Sequence, residues 1–235
     1  MRRDDEDVGA LPFGETGLPD GVEPERVVAA LRPLLTERRI RRIEEVLAAR
    51  TLALTVVLDR FHDPHNASAV LRSCEAHGVQ RVHVIEGDEP FAAARRATQG
   101  ADRWLTLRRW RDGVECARAL KAEGFAVAAA VQSGGVPPER LDVSRPVALV
   151  LGREHDGIHP ALLAECDLRI TVPMSGFVES LNVSVAAAVC LSHLRPRFRS
   201  GLPEAVASHL RAVFHVLSVD RAEEILARVL GSTVP

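Results

Sequence analysis

The stretch LALTVVLDRFHDPHNASAVLRSCEAHGVQRVHVIE, residues 52–86, reads as strand, helix and strand in succession. LALTVVLD (52–59) is a short unbroken apolar run, the pattern of a strand buried on both faces. A helix is predicted from Asn66, whose short side chain can cap it, through His77, with Gly78 as its stop. RVHVIE (81–86) follows as the second strand. Two apolar strands separated by one helix make a crossover unit, and that unit calls for a parallel sheet.

The alternation continues downstream. FAAARRATQG and WRDGVECARALKAEG carry helical periodicity around a short strand near Trp104. FAVAAAV (125–131), VALVLG (147–152) and LRITVP (168–173) read as strands. GGVPPERLDVSRP (134–146) is a loop, and helices are predicted near 160–165 and 181–194. The expected fold class is α/β with a mainly parallel sheet. Outside this region, Pro24 can open a short helix that Pro33 interrupts. Thr36 precedes ERRIRRIEEVLAAR, in which Ile40, Ile43, Val46 and Leu47 form one apolar stripe flanked by Arg38, Arg39, Arg41 and Arg42. After Pro196, residues 203–230 resume a helical pattern broken near Ser218 to Asp220.

A chain of 235 residues, 46% hydrophobic and 26% charged, holds one domain with appendages or two small ones, and its composition excludes wholesale disorder. No apolar run is long enough to span a bilayer, and the acidic N-terminus lacks the core of a secretion signal. No membrane association is expected, and a cytoplasmic location is. The net charge of −2 conceals a gradient. Residues 1–25 carry two Arg against eight acids, whereas 26–50 carry seven Arg against three Glu. A basic segment on a neutral body suits an anionic partner, although charge alone describes a solvated helix face equally well. Cys74, Cys116, Cys166 and Cys190 are too far apart in sequence for a thiol metal or redox motif, so each is expected to be a small buried side chain. His62 and His65 have no third ligand nearby and read as part of a turn, so no metal is expected.

The chain has no GxxxxGK[ST], no GxGxxG after the first strand and no GxSxG, which removes the ordinary signatures of nucleotide hydrolysis, dinucleotide binding and serine hydrolysis. Three segments at strand ends instead hold polar residues that a core does not need: FHDPHNASAVLR (61–72), LGREHDGIHP (151–160) and VPMSGFVESLNVSVAAAV (172–189). In open α/β sheets ligands collect beyond the carboxyl ends of strands, where all three fall. Taken singly, Asn66 is a helix cap, Arg72 a surface residue, GREHDG a charged turn, and Ser180 with Asn182 a helix start.

Taken together, the three segments resemble the motifs of the TrmH-type ribose 2′-O-methyltransferases of the SPOUT superfamily. The Asn66-to-Arg72 block, GREHDGI and VPMSGFVESLNVSVA carry the likeness, which runs over about residues 36–197. PHNASAVLR and SLNVSVA look closest to the branch that methylates guanosine-18 in the tRNA D-loop. The resemblance implies an α/β sheet with a C-terminal trefoil knot, S-adenosyl-L-methionine as cofactor, tRNA as partner and a homodimer that completes the site. It implies that Ala130, Gly152, Val172, Met174 and Leu181 line the cofactor pocket, with Ala130 where relatives often carry Thr. It places Arg72, Asn66, Glu154, Ser180 and Asn182 at the reacting centre, and RNA contacts at Arg39, Arg41 and Arg42. The chain then divides into an acidic flexible tail (1–22), a basic helical RNA-binding extension (23–50), the methyltransferase domain (51–197) and a C-terminal helical extension (198–235). An rRNA ribose methyltransferase and a non-catalytic RNA-binding protein of the same fold remain the competing readings.

Overall fold

A computed structural model describes residues 17–87, 98–153 and 156–230. Its contacts divide the chain into two units, one of residues 51–199 and one formed by 1–50 together with 200–235. The two terminal extensions, expected as separate pieces, thus belong to one unit.

The larger unit is built on a six-stranded sheet: β1 (Leu54–Asp59), β2 (Arg81–Ile85), β3 (Thr106–Trp110), β4 (Ala126–Ala130), β5 (Val147–Leu151) and β6 (Leu168–Ile170). The order is β3-β2-β1-β5-β4-β6 and every pairing is parallel. All six residues of β1 and all five of β5 are buried, as expected for central strands with both faces covered. Side chains alternate between faces. Val57, Ile85, Val127, Ala129, Ala148 and Val150 form a core with Cys116, Leu120 and Leu162 from α4 (Gly113–Ala122) and α5 (Pro160–Glu165). The intervening Val56, Leu58, Val84, Leu149 and Leu151 are also buried and face the opposite layer. Helices α3 (Pro64–Ala76) and α6 (Val183–Leu194) pack against each other.

Helix α3 begins two residues before the expected Asn66 cap. Asp63 Oδ1 accepts from the His65 amide and Pro64 occupies the first turn, where its missing N–H costs nothing. Asn66 is therefore released from capping. At the other end Gly78 takes φ +70°, and the Val79 amide donates back to the Cys74 carbonyl, which stops the helix. The strand expected near Trp104 lies further on, and Trp110 belongs to it rather than to a helix. Asp112 accepts from Val114 and Glu115 amides, so α4 starts only after that cap. The predicted helix FAAARRATQG lies, through residue 97, outside the described residues.

The smaller unit contains α1 (Pro24–Leu31), α2 (Glu37–Ala49), α7 (Glu204–Ser218) and α8 (Ala222–Leu230). Thr36 caps α2 by accepting from the Arg39 amide, and Ile40, Ile43 and Leu47 are buried while Val46 is half-buried. Arg211 on α7 donates two bonds, 2.8 and 3.1 Å, to the Glu44 carboxylate of α2. The tail is not loose throughout its expected span: residues 17–19 are buried, Leu18 to 4% exposure. Cys74, Cys116 and Cys190 are buried as expected, whereas Cys166 is only half-buried. Among the described residues, no helix is long and apolar enough to cross a membrane.

Candidate functional site

Beyond the carboxyl ends of β4, β5 and β6 lies a cavity of about 390 Å³. That size suits a small-molecule cofactor. Ala130 and Leu151 close it from the strands, Gly152, Gly157 and Ile158 from the segment after β5, and Val172, Met174, Ser180 and Leu181 from the segment after β6. Ala186 and Cys190 of α6 complete an apolar wall. Burial pushes the Cys190 thiol up to about 11, so it stays protonated and serves as a small apolar contact.

Backbone contacts shape this cavity. The Arg153 and Gly157 amides each donate to the other residue's carbonyl, at 3.0 and 3.1 Å, which pairs these two positions after β5. At Gly152 an added Cβ would sit 2.2 Å from the Gly157 carbonyl carbon and 2.3 Å from the Ile158 nitrogen. Only glycine permits that approach. The His159 amide donates to Asp59 Oδ2 at 2.7 Å, which fastens the end of the segment to β1. On the other side, the Val131 amide donates to the Ile170 carbonyl, the Val136 amide to the Arg169 carbonyl, and the Thr171 amide to the Val136 carbonyl. Residues 131–136 are thereby stitched to 169–171.

The structure places all five expected cofactor residues, Ala130, Gly152, Val172, Met174 and Leu181, around this one cavity, and Ser180 with them. Asn182 caps α6: its Oδ1 accepts from the Ser184 amide at 2.9 Å and hydroxyl at 2.6 Å. With Oδ1 so engaged, Asn182 Nδ2 donates to Asn66 Oδ1 at 3.0 Å. The first and third segments thus meet through two amides 116 residues apart. Arg72, almost two helical turns beyond Asn66, is exposed and is not among the residues lining the cavity. Glu154 lies outside the described residues. Arg39, Arg41 and Arg42 are exposed on α2, where they surround a shallow depression together with Thr36, Arg38 and Glu45.

Sequence reasoning missed several members of the site. Gln132, Ser133, Arg153, Asp156 and Glu179 also line the cavity, and buried Asp59 holds its second loop. Asp59 offered a signal: a carboxylate ending an otherwise apolar strand, 2% exposed, needs a donor. Among the described residues no three His, Cys, Asp or Glu side chains converge as they would around a metal ion.

The profile of the SpoU rRNA Methylase family matches residues 53–192, which include the sheet, α3, all but the last two residues of α6 and every wall of the cavity. The chain belongs to that family. It is 42% identical over 169 residues to a tRNA (guanosine(18)-2′-O)-methyltransferase of Thermus thermophilus, covering 71% of this chain and 87% of that one. Among solved structures it is similar to the TrmH/SpoU tRNA modifying enzyme of Aquifex aeolicus, with a TM-score of 0.72 and 29% identity over 79% of this chain and 98% of that one. It is also similar to an AdoMet-bound rRNA methyltransferase of Sinorhizobium meliloti, with a TM-score of 0.56 and 25% identity, covering 67% and 61% of the two chains. The SpoU fold is therefore shared with solved relatives.

Proposed function

We propose that the chain transfers a methyl group from S-adenosyl-L-methionine to a ribose 2′-hydroxyl of tRNA, that of guanosine-18 in the D-loop. The observation that carries this reading is the convergence of Ala130, Gly152, Val172, Met174 and Leu181 on one cavity, beside the Asn66–Asn182 bridge. The relatives support the choice of RNA: the Thermus and Aquifex tRNA enzymes are matched over 87% and 98% of their lengths, the Sinorhizobium rRNA enzyme over 61%.

The residues present fit the cofactor. The backbone N–H and C=O groups of the stitched segments offer fixed partners for an adenine ring, and Leu181, Val172 and Ile170 offer apolar faces. Bound there, S-adenosyl-L-methionine supplies a sulfonium methyl whose leaving group needs no activation, so positioning of the ribose oxygen does much of the work. The guanidinium of Arg72 does not lose its proton in ordinary protein settings, and its role in this reading is to hold an adjacent phosphate and stabilise charge developing on the 2′-oxygen, while the hydroxyl proton passes to that phosphate or to water. Asn66, Glu154, Ser180 and Asn182 orient Arg72 and the third segment rather than exchange protons. Arg39, Arg41 and Arg42 supply phosphate contacts that set affinity and register.

Two observations support a homodimer. Arg72, which this reading assigns to the reacting centre, is not on the wall of its own chain's cavity, as expected if a second copy supplies it. Helix α6 is apolar around most of its circumference, yet Val185 is 48% exposed, and Phe177 and Val178 nearby in sequence are fully and largely exposed. A helix of that kind belongs in an interface. The reading also takes the C-terminal half to be a trefoil knot, supported by β6 returning beside β4 and by the stitching of 131–136 to 169–171. A cytoplasmic location follows from a tRNA substrate.

The deciding experiment incubates the protein with methyl-labelled cofactor and separate tRNA and rRNA pools, then maps the modified ribose. Label at guanosine-18 of tRNA is expected. Label confined to rRNA would move the assignment to the ribosomal substrate, and label in neither would leave a binding protein. Arg72→Lys is expected to lower kcat at least about 100-fold, as loss of an oriented charge does. A near-normal rate with a shifted pH profile would instead make Arg72 a base.

A further inference from the structure

Arg153 stands at a junction that neither its charge nor its neighbours in sequence suggest. It follows Gly152, lines the cofactor cavity, and extends its side chain to another segment as well as along its own loop. Its Nε donates to the Arg60 carbonyl at 3.0 Å, across 93 residues. One Nη atom lies 3.4 Å from Asp156, a carboxylate 73% exposed and so weakly held. The other lies 3.8 Å from where a Cβ on Gly87 would be, at the end of β2. One guanidinium therefore bonds to the segments that follow β1 and β5 and lies beside the one that follows β2.

The residue it grips is unusual. Arg60 has φ +53°, a left-handed conformation that a side chain with a Cβ adopts reluctantly. Its amide donates to the Ile85 carbonyl at 2.9 Å, so both of its backbone polar groups are held by other segments. Arg60 begins the short passage to Asp63, the cap of α3, the helix that carries Asn66 and Arg72. The β1 and β5 segments are tied a second time by Asp59 and His159. That tie ends on a carboxylate with 2% exposure, whereas the Arg153 side chain is 26% exposed and the residue lines the cavity. Of the two ties, the one at Arg153 is the one an incoming cofactor meets.

We propose that Arg153 is a positioning residue that couples occupancy of the cofactor cavity to the setting of residues 60–63, and through them to the helix presented to RNA. It touches no reacting atom. A cofactor that packs against the Arg153 side chain fixes the Arg60 carbonyl, and RNA seated on α3 fixes the same carbonyl from the other side. Such coupling is reciprocal: cofactor must tighten RNA binding by the factor by which RNA tightens cofactor binding. The inference rests on the reading that this chain methylates tRNA.

The test uses the full chain, a tRNA transcript and the demethylated cofactor S-adenosylhomocysteine, which permits binding without turnover. The wild type is expected to bind tRNA about 5- to 10-fold more tightly with S-adenosylhomocysteine present, and to show the same factor with the roles exchanged. Arg153→Ala should bring both factors close to one. Arg153→Lys, which retains a single donor able to reach the Arg60 carbonyl, should restore part of the coupling. A merely structural loss weakens each ligand but leaves the factor intact, and thermal midpoints measured alongside confirm that all three proteins are folded. A factor unchanged in Arg153→Ala, or a factor of one in the wild type, overturns the proposal. A wild type that binds cofactor yet neither binds nor methylates tRNA overturns the functional reading, and the coupling with it.

Discussion

The two flanks of the sheet are held by different means. On the β5–β4–β6 side the strands are VALVL, AVAAA and LRI, and the loops beyond them are fixed by amide-to-carbonyl bonds and by a close approach at Gly152. On the β2–β3 side the ties are side chains. His83 Nδ1 accepts from Trp110 Nε1 at 2.9 Å, Arg109 pairs with Glu86, and Arg81 and Arg108 share Glu123. Apart from the Asp59 carboxylate that holds its second loop, the pocket is fastened by backbone, which does not titrate, whereas the flank is made largely of titrating groups. Solvent conditions should therefore act on the flank, and single added atoms on the pocket.

The sharpest way to break this contrast is Gly152→Ala. One methyl group must displace the Gly157 and Ile158 backbone, and no flexible side chain is there to yield. Overpacking of this kind destabilises the fold by up to about 3 kcal/mol, and the displaced cavity wall is expected to weaken the cofactor Kd by about 10-fold or more. Calorimetric titration checks this. An unchanged Kd would mean that the close approach of Gly152 to Gly157 and Ile158 is not what shapes the cavity.

The flank gives the next largest effect. His83 is fully buried, and burial together with the positive charges of Arg81 and Arg108 holds its imidazole down at about 4, against an ordinary 6.5; Glu123 opposes the shift. The folded chain thus keeps His83 neutral while the unfolded chain protonates it first. The resulting stability is complete above pH 6.5 and is lost as pH falls toward 4. The shift corresponds to a loss on the order of 3 kcal/mol. Denaturant unfolding at neutral and acid pH should show His83→Gln losing less stability than the wild type across that window, with equal losses disproving the assignment.

This contrast also explains what was legible in the sequence. Strand runs are local patterns, so the parallel sheet could be read directly from residues 52–173, whereas the pocket positions of Gly152, Val172 and Leu181 followed from the likeness of the three segments to the TrmH-type motifs. Asp63–Pro64 was an equally local signal, an N-cap followed by a first-turn proline, that the choice of Asn66 overlooked. Other features have no local signature. Nothing near Arg211 announces Glu44 as its partner, and nothing near Arg153 announces the Arg60 carbonyl. The joining of both termini in one unit was invisible for the same reason: each helix shows an apolar stripe but not what will cover it.

The smallest effect concerns the bridge between the two polar segments. Asn182 does two things at once, capping α6 through Oδ1 and donating through Nδ2 to Asn66. The cap fixes the amide orientation, because a flipped Asn182 would present N–H₂ to the Ser184 amide. Asn182→Ser separates the roles, since serine can still cap a helix but is too short to reach Asn66. Asn182→Ala removes both and should cost about 1 kcal/mol more than the serine variant. In a double-mutant cycle, Asn66→Ala with Asn182→Ser should give a coupling of about 1 kcal/mol in stability, the worth of one hydrogen bond. If the bridge also sets the site, kcat should fall in Asn66→Ala while the cofactor Kd, governed by backbone on the other side of Leu181, stays put. A coupling near zero would show that the two segments are aligned by helix packing alone, with the amides following rather than leading.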